Sequence, residues 1–64
     1  MFAWRYLSED GGELGISERF ADRDAAESWI GETWGDLLER GVDEVVLVDE
    51  SAGRRVFRMG LRPD

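Results

Sequence analysis

The sequence predicts an α+β fold of ββαββ order, two antiparallel hairpins with one helix packed on the sheet. Three observations predict it. The stretch from Asp22 to Gly41 is the only one long and periodic enough for a full helix, two period-two segments precede it, and two more follow it. Each pair of period-two segments is joined by a short glycine-bearing turn.

The first strand is expected over residues 2–7, FAWRYL, where Phe2, Trp4 and Tyr6 alternate with Ala3, Arg5 and Leu7. Its aromatic side should face inward. Asp10-Gly11-Gly12 then supplies a tight hairpin turn, because glycine adopts positive φ without steric cost. A second strand is expected from Glu13 to Phe20 with Leu14, Ile16 and Phe20 on one face, pairing Tyr6 with Ile16 and Phe2 with Phe20. That register leaves Glu18 opposite Trp4 near the inner face, a misfit expected to sit where the strand leaves the helix footprint, although a bulge or an irregular strand end would also relieve it.

Asp22 is the expected N-cap of the helix, and Asp24 with Glu27 fits a D-x-x-E capping box two residues later. Arg40 followed by Gly41 marks the C-terminus. At 100° per residue Ala26, Ile30, Thr33 and Leu37 form one stripe, with Trp29 on one side of it and Trp34 and Leu38 on the other. Glu32, Asp36 and Glu39 make a solvated acidic ridge opposite.

The third strand is expected within VDEVVLVDE, residues 42–50, with Val45 and Leu47 alternating against Val46 and Val48. Ser51-Ala52-Gly53 fits a type I turn with Gly53 left-handed. The fourth strand then covers residues 54–62, with Phe57 facing Leu47 and Met59 facing Val45 under the helix, before Pro63 and Asp64 fray. Val46, Val48 and Val56, with Ala3 and Leu7, are left for an apolar back face. Whether both hairpins share one sheet within a chain, or complete it with a second chain, stays open at this level.

At 64 residues the chain makes a single domain, 1–64, and a domain of about 60 residues buries only about 60% of its unfolded surface. No cysteine or histidine is present, so neither a disulfide nor a structural zinc adds stability, and self-association is a natural way to bury more. The net charge of −7 opposes binding to nucleic-acid backbones and to anionic membranes, and favours a neutral or basic protein partner. No charged-then-apolar leader precedes the first strand, and the apolar run Val45–Val48 is far short of the ~20 residues that span a bilayer, so a cytoplasmic location is expected.

Every basic residue is arginine, and Lys, Asn, Gln, His and Cys are absent, which reads as the codon bias of a GC-rich genome. The strings WRY, DGGELG and SERFADRDAAESWIGETWGDLLERGVDEVVLV resemble a group of short uncharacterised actinobacterial proteins. The shared pattern consists of strand aromatics, a D-x-x-A-A-x-x-W helix start and an L-L-x-x-G-V helix end, all structural positions. The resemblance implies no activity.

Without His or Cys, acid–base or nucleophilic chemistry falls to carboxylates, Arg, Ser, Thr and Tyr, and Glu9-Asp10, Asp43-Glu44 and Asp49-Glu50 sit in turns or at strand ends where solvation is the ordinary outcome. Asp10-Gly11-Gly12-Glu13 lacks the ligand spacing of a calcium loop. The expectation is a non-enzymatic protein with no catalytic residues, no metal and no cofactor, acting through a protein partner or itself as a homodimer.

Its candidate interaction surface is Gly31, Trp34, Gly35 and Leu38, a helix flank whose two glycines either admit another backbone or are simply tolerated. A second candidate is an anion site built from Arg5, Arg54, Arg55, Arg58 and Arg62; edge protection and neutralisation of Glu44 and Asp49 explain the same arginines. A third reading, an acidic mimic of nucleic acid, needs two regular rows of charge that the scattered carboxylates do not form.

Overall fold

The computed structural model describes residues 1–62, so the fraying expected of Pro63 and Asp64 lies outside the described residues. Four strands, β1 (Phe2–Leu7), β2 (Glu13–Ile16), β3 (Glu44–Asp49) and β4 (Arg54–Gly60), and one helix, α1 (Arg23–Glu39), follow the expected ββαββ order. The strands form one antiparallel sheet in the order β2-β1-β3-β4, which joins both hairpins within a single chain. Among the described residues no helix is long and apolar enough to cross a membrane.

The helix starts and stops where its local chemistry directs. Asp22 is the N-cap, its carboxylate accepting from the Ala25 N–H at 2.8 Å. At the other end Gly41 has φ of 91°, its N–H bonds Leu38 O at 3.1 Å, and the Val42 N–H bonds Leu37 O at 3.0 Å. These are the two bonds of a Schellman motif, and Val42 is buried in the core beside it. Gly11 and Gly53 take the positive φ their turns require.

Ala26, Ile30 and Leu37 are buried as the stripe predicts, over Trp4, Val45 and Leu47, all fully inaccessible. Trp4 is the junction. Its indole N–H donates to Ala26 O at 2.9 Å, so the first turns of α1 are fixed to β1. Val45 opposes Met59 and Leu47 opposes Phe57, as expected. Phe57 nevertheless stays 42% exposed, because β4 is an edge strand and α1 lies over β1 rather than across the whole sheet.

Strand two departs from its expected form. Ile16 opposes Arg5 and Gly15 opposes Tyr6, so Leu14 and Ile16 lie on the open face of the sheet, 53% and 39% exposed. The register slips between Tyr6 and Leu7, and β2 ends at Ile16 instead of Phe20. Beyond it buried Ser17 takes over: its hydroxyl accepts from Trp4 N–H and donates to Glu18 O, each at 2.8 Å, while its N–H donates to Trp4 O. Phe20 then regains its expected bridge to Phe2, one residue out of step with Ile16, and that extra residue leaves Glu18 exposed and resolves the misfit.

A second correction concerns β4. The pairs Leu47–Phe57 and Val48–Arg55 leave Val56 as an extra residue, a bulge; Val56 packs against the core cluster rather than joining the back face. The strand also ends at Gly60, so Arg62 lies beyond it.

Trp4→Ala is expected to cost about 3–5 kcal/mol, most of the total for a domain stabilised by about 0.05–0.15 kcal/mol per residue. Ile16→Ala, on the open face, should change stability by about 0.5 kcal/mol or less. Urea unfolding followed by far-ultraviolet circular dichroism checks both; a cost of about 2 kcal/mol or more for Ile16→Ala would mean that this side chain faces the helix.

Candidate functional site

The flank of α1 singled out by its glycines borders a groove between the helix and β4. Ile30, Gly31 and Trp34 form the helical wall, Phe57, Met59 and Gly60 form the strand wall, and Trp4 and Leu61 close the floor of a hollow of about 350 Å³. Trp34 is 46% exposed. Trp29, five residues earlier, is half-buried and stacks at a tilt on Phe20, with ring centroids 5.4 Å apart. The two tryptophans that flank the core stripe therefore part company, one to the core and one to the groove.

A Cβ built on Gly31 or on Gly35 meets nothing within 4 Å. No contact inside the chain requires either glycine. Leu38, half-buried, lines an adjoining crevice with Val42, Asp43 and Arg62 near the helix C-terminus. Phe57 meets the Trp4 ring edge-on at 6.4 Å, and the Arg23 guanidinium lies 5.7 Å from the centre of the Phe57 ring. Arg23 also pairs with Glu27 at 2.9 Å, so the charges nearest the groove neutralise each other.

The arginines of the second candidate site divide into two sets. Arg58 bonds Glu44 at 2.7 Å, and Arg62 reaches Asp43 at 2.9 Å and Glu9 at 3.4 Å, which is the charge neutralisation weighed from sequence. Asp43 Oδ1 is buried and takes its compensation from the Arg62 charge rather than from an aligned hydrogen bond. Asp49 is not paired with arginine; it accepts from the Ser51 and Ala52 N–H groups of the turn. Arg5 and Arg55 face a second hollow, of about 630 Å³, on the open face of the sheet, with Leu7, Val46, Val48, Glu13 and Gly53; Arg54 borders it at the turn, but its partner Asp49 stands opposite Phe2 on the helix side.

Arg55 reaches that face because of the bulge. A regular strand would set it on the side of Phe57, whereas the extra residue Val56 brings it opposite Val48. Nothing in the period-two pattern of β4 signals this, and only the one-residue slip between the two β3 pairs reveals it.

Ionisation across the molecule follows simple contacts. The Ser8 hydroxyl and then the Gly12 N–H hold the Asp10 carboxyl below its ordinary range, and Arg19, bonded to both Glu50 oxygens at 3.0 and 3.1 Å, lowers Glu50. Burial pushes the Tyr6 phenol up. Among the described residues no three Asp or Glu side chains stand close enough to hold a metal ion. No protein-family model, curated protein or solved structure matches the chain.

The lowered Glu50 fixes the sign of a pH effect. A carboxylate whose folded pKa is depressed adds stability at neutral pH, and that contribution disappears as pH falls through the folded value. The difference in urea midpoint between the wild type and Glu50→Gln should therefore be present at pH 7 and vanish well below about pH 4. Parallel denaturation series from pH 7 to pH 2 measure it.

Proposed function

We propose that the protein is a non-enzymatic interaction module whose docking surface is the groove between α1 and β4, and that it docks a second copy of itself. The observation that carries this reading is the pair Trp34 and Phe57, 46% and 42% exposed on the two walls of one apolar groove. Tryptophan held in such a position is the residue type that most often dominates a protein interface.

Self-association is supported by shape. The patch carries a half-exposed ring, Trp34, on the wall of a hollow, and a two-fold axis needs such a self-complementary pairing, each ring packing against the other copy's groove. It is supported by charge as well. The chain carries −7, but Glu27 at the groove is already paired with Arg23, so groove-to-groove contact adds little direct repulsion. Gly31 leaves the helical wall low where the partner's ring would pass.

The absence of His and Cys supports a role without catalysis. The composition supports placing the chain among the short actinobacterial proteins it resembles, with a cytoplasmic site of action.

Sedimentation velocity on the wild type and on Trp34→Glu tests the proposal. The wild type is expected to sediment as a dimer, and the variant, folded by circular dichroism, as a monomer with association weakened by about 2 kcal/mol or more, roughly 30-fold. Capture from an actinobacterial lysate on both forms extends the test to other proteins. A wild type that stays monomeric and loses no partner on substitution would overturn this surface.

A further inference from the structure

We propose that Arg5 and Arg55, with Arg54 bordering them at the turn, form a binding site on the open face of the sheet for a small amphipathic anion, an oxyanion head group carrying a short apolar body. The site is separate from the helix–strand groove. Of the eight arginines, Arg19, Arg23, Arg58 and Arg62 each reach a carboxylate at 2.7–3.4 Å, and Arg5 only approaches Glu13 at 3.7 Å. Among the described residues Arg40, Arg54 and Arg55 make no ion pair, and two of these three border one hollow with Arg5. Arg55 without an ion pair, beside Arg5 held only by Glu13 at 3.7 Å, in a chain of net charge −7, suits capture of a carboxylate or phosphate.

The surroundings of these cations define the rest of the ligand. Leu7, Val46 and Val48 line the same hollow, and no strand or helix among the described residues lies over this face. Val46 and Val48 are themselves buried, at 4% and 9% exposed, so the apolar body rests chiefly on half-buried Leu7 and on the arginine stems. A volume of about 630 Å³ is in the range of small-molecule sites. The overall negative charge disfavours long polyanions such as nucleic acid, whose remaining charges would face the acidic body. Glu13 is the one carboxylate at the hollow, and its loose contact with Arg5 makes it a competitor that the ligand head group displaces.

Isothermal titration with octanoate, octyl phosphate, octanamide and inorganic phosphate tests the site. Octanoate or octyl phosphate is expected to bind, with octanamide and inorganic phosphate each weaker by at least about tenfold. Arg55→Gln should weaken binding by about tenfold or more, Glu13→Gln should strengthen it, and Arg40→Gln should leave it unchanged. All three positions are exposed, so each variant should keep the wild-type circular dichroism spectrum. Equal binding of octanamide, indifference to Arg55→Gln, no binding at millimolar ligand, or binding to phosphatidylglycerol vesicles alone would each overturn the proposal. Because Trp34→Glu leaves this face untouched, loss of the dimer and loss of anion binding are separately readable.

Discussion

Trp4 is the side chain on which the other elements depend. It is fully buried in a central strand, its ring lies under α1, and its indole N–H finds an acceptor at Ala26 O, so burying it leaves no polar atom unpaired. Its backbone N–H and C=O are both taken by Ser17, which holds the segment after β2 against the sheet, and its ring edge meets Phe57 of β4. Helix, both hairpins and the irregular end of β2 thus converge on one residue. In a chain this short, without cysteine for a disulfide, much of the cooperativity must pass through such a shared contact.

Around that centre the sheet departs from strict alternation in three places, and each departure has a physical reason. The slip beside Leu7 lets the exposed Leu14 stand as the extra residue of β2. The extra residue between Ser17 and Phe20 lets Glu18 stay in water while Phe20 still reaches Phe2. Val56 interrupts β4 and turns Arg55 to the open face. Two of these irregularities fall on the edge strands, where bulges also discourage uncontrolled pairing with other chains.

What could be read from sequence follows from this division between local and non-local causes. The caps at Asp22 and Gly41, the glycine turns and the stripe of Ala26, Ile30 and Leu37 depend on residues close in sequence, and the sequence reading places all of them. The Phe2–Phe20 pair was legible because matching aromatics marked it; the Val45–Met59 and Leu47–Phe57 pairs agree with the reading although Asp49 rather than Glu50 faces Arg54 at the turn, because the Val56 bulge makes up the one-residue difference. The orientation of Leu14 and Ile16 was not legible, since it depends on Ser17 replacing a ladder position, a choice made by the buried Trp4 backbone. At the candidate surfaces, the helical wheel places both Trp29 and Trp34 beside the core stripe, and it is the glycine and leucine neighbours of Trp34 that single it out as the outward one. The wall opposite Trp34 was not legible, because the exposure of Phe57 depends on where the helix lies across the sheet.

The two candidate surfaces meet at β4, and the bulge is what keeps them apart. In a regular strand Arg55 and Phe57 would share a face, placing an unneutralised guanidinium at the mouth of an apolar groove. An apolar partner entering there would have to desolvate that charge, a cost that burial without a counter-ion does not return. With Val56 inserted, the aromatic stays beside α1 and the cation goes to the open face beside Val48. Apolar docking and oxyanion recognition then use opposite sides of one strand, and occupation of either side leaves the other accessible.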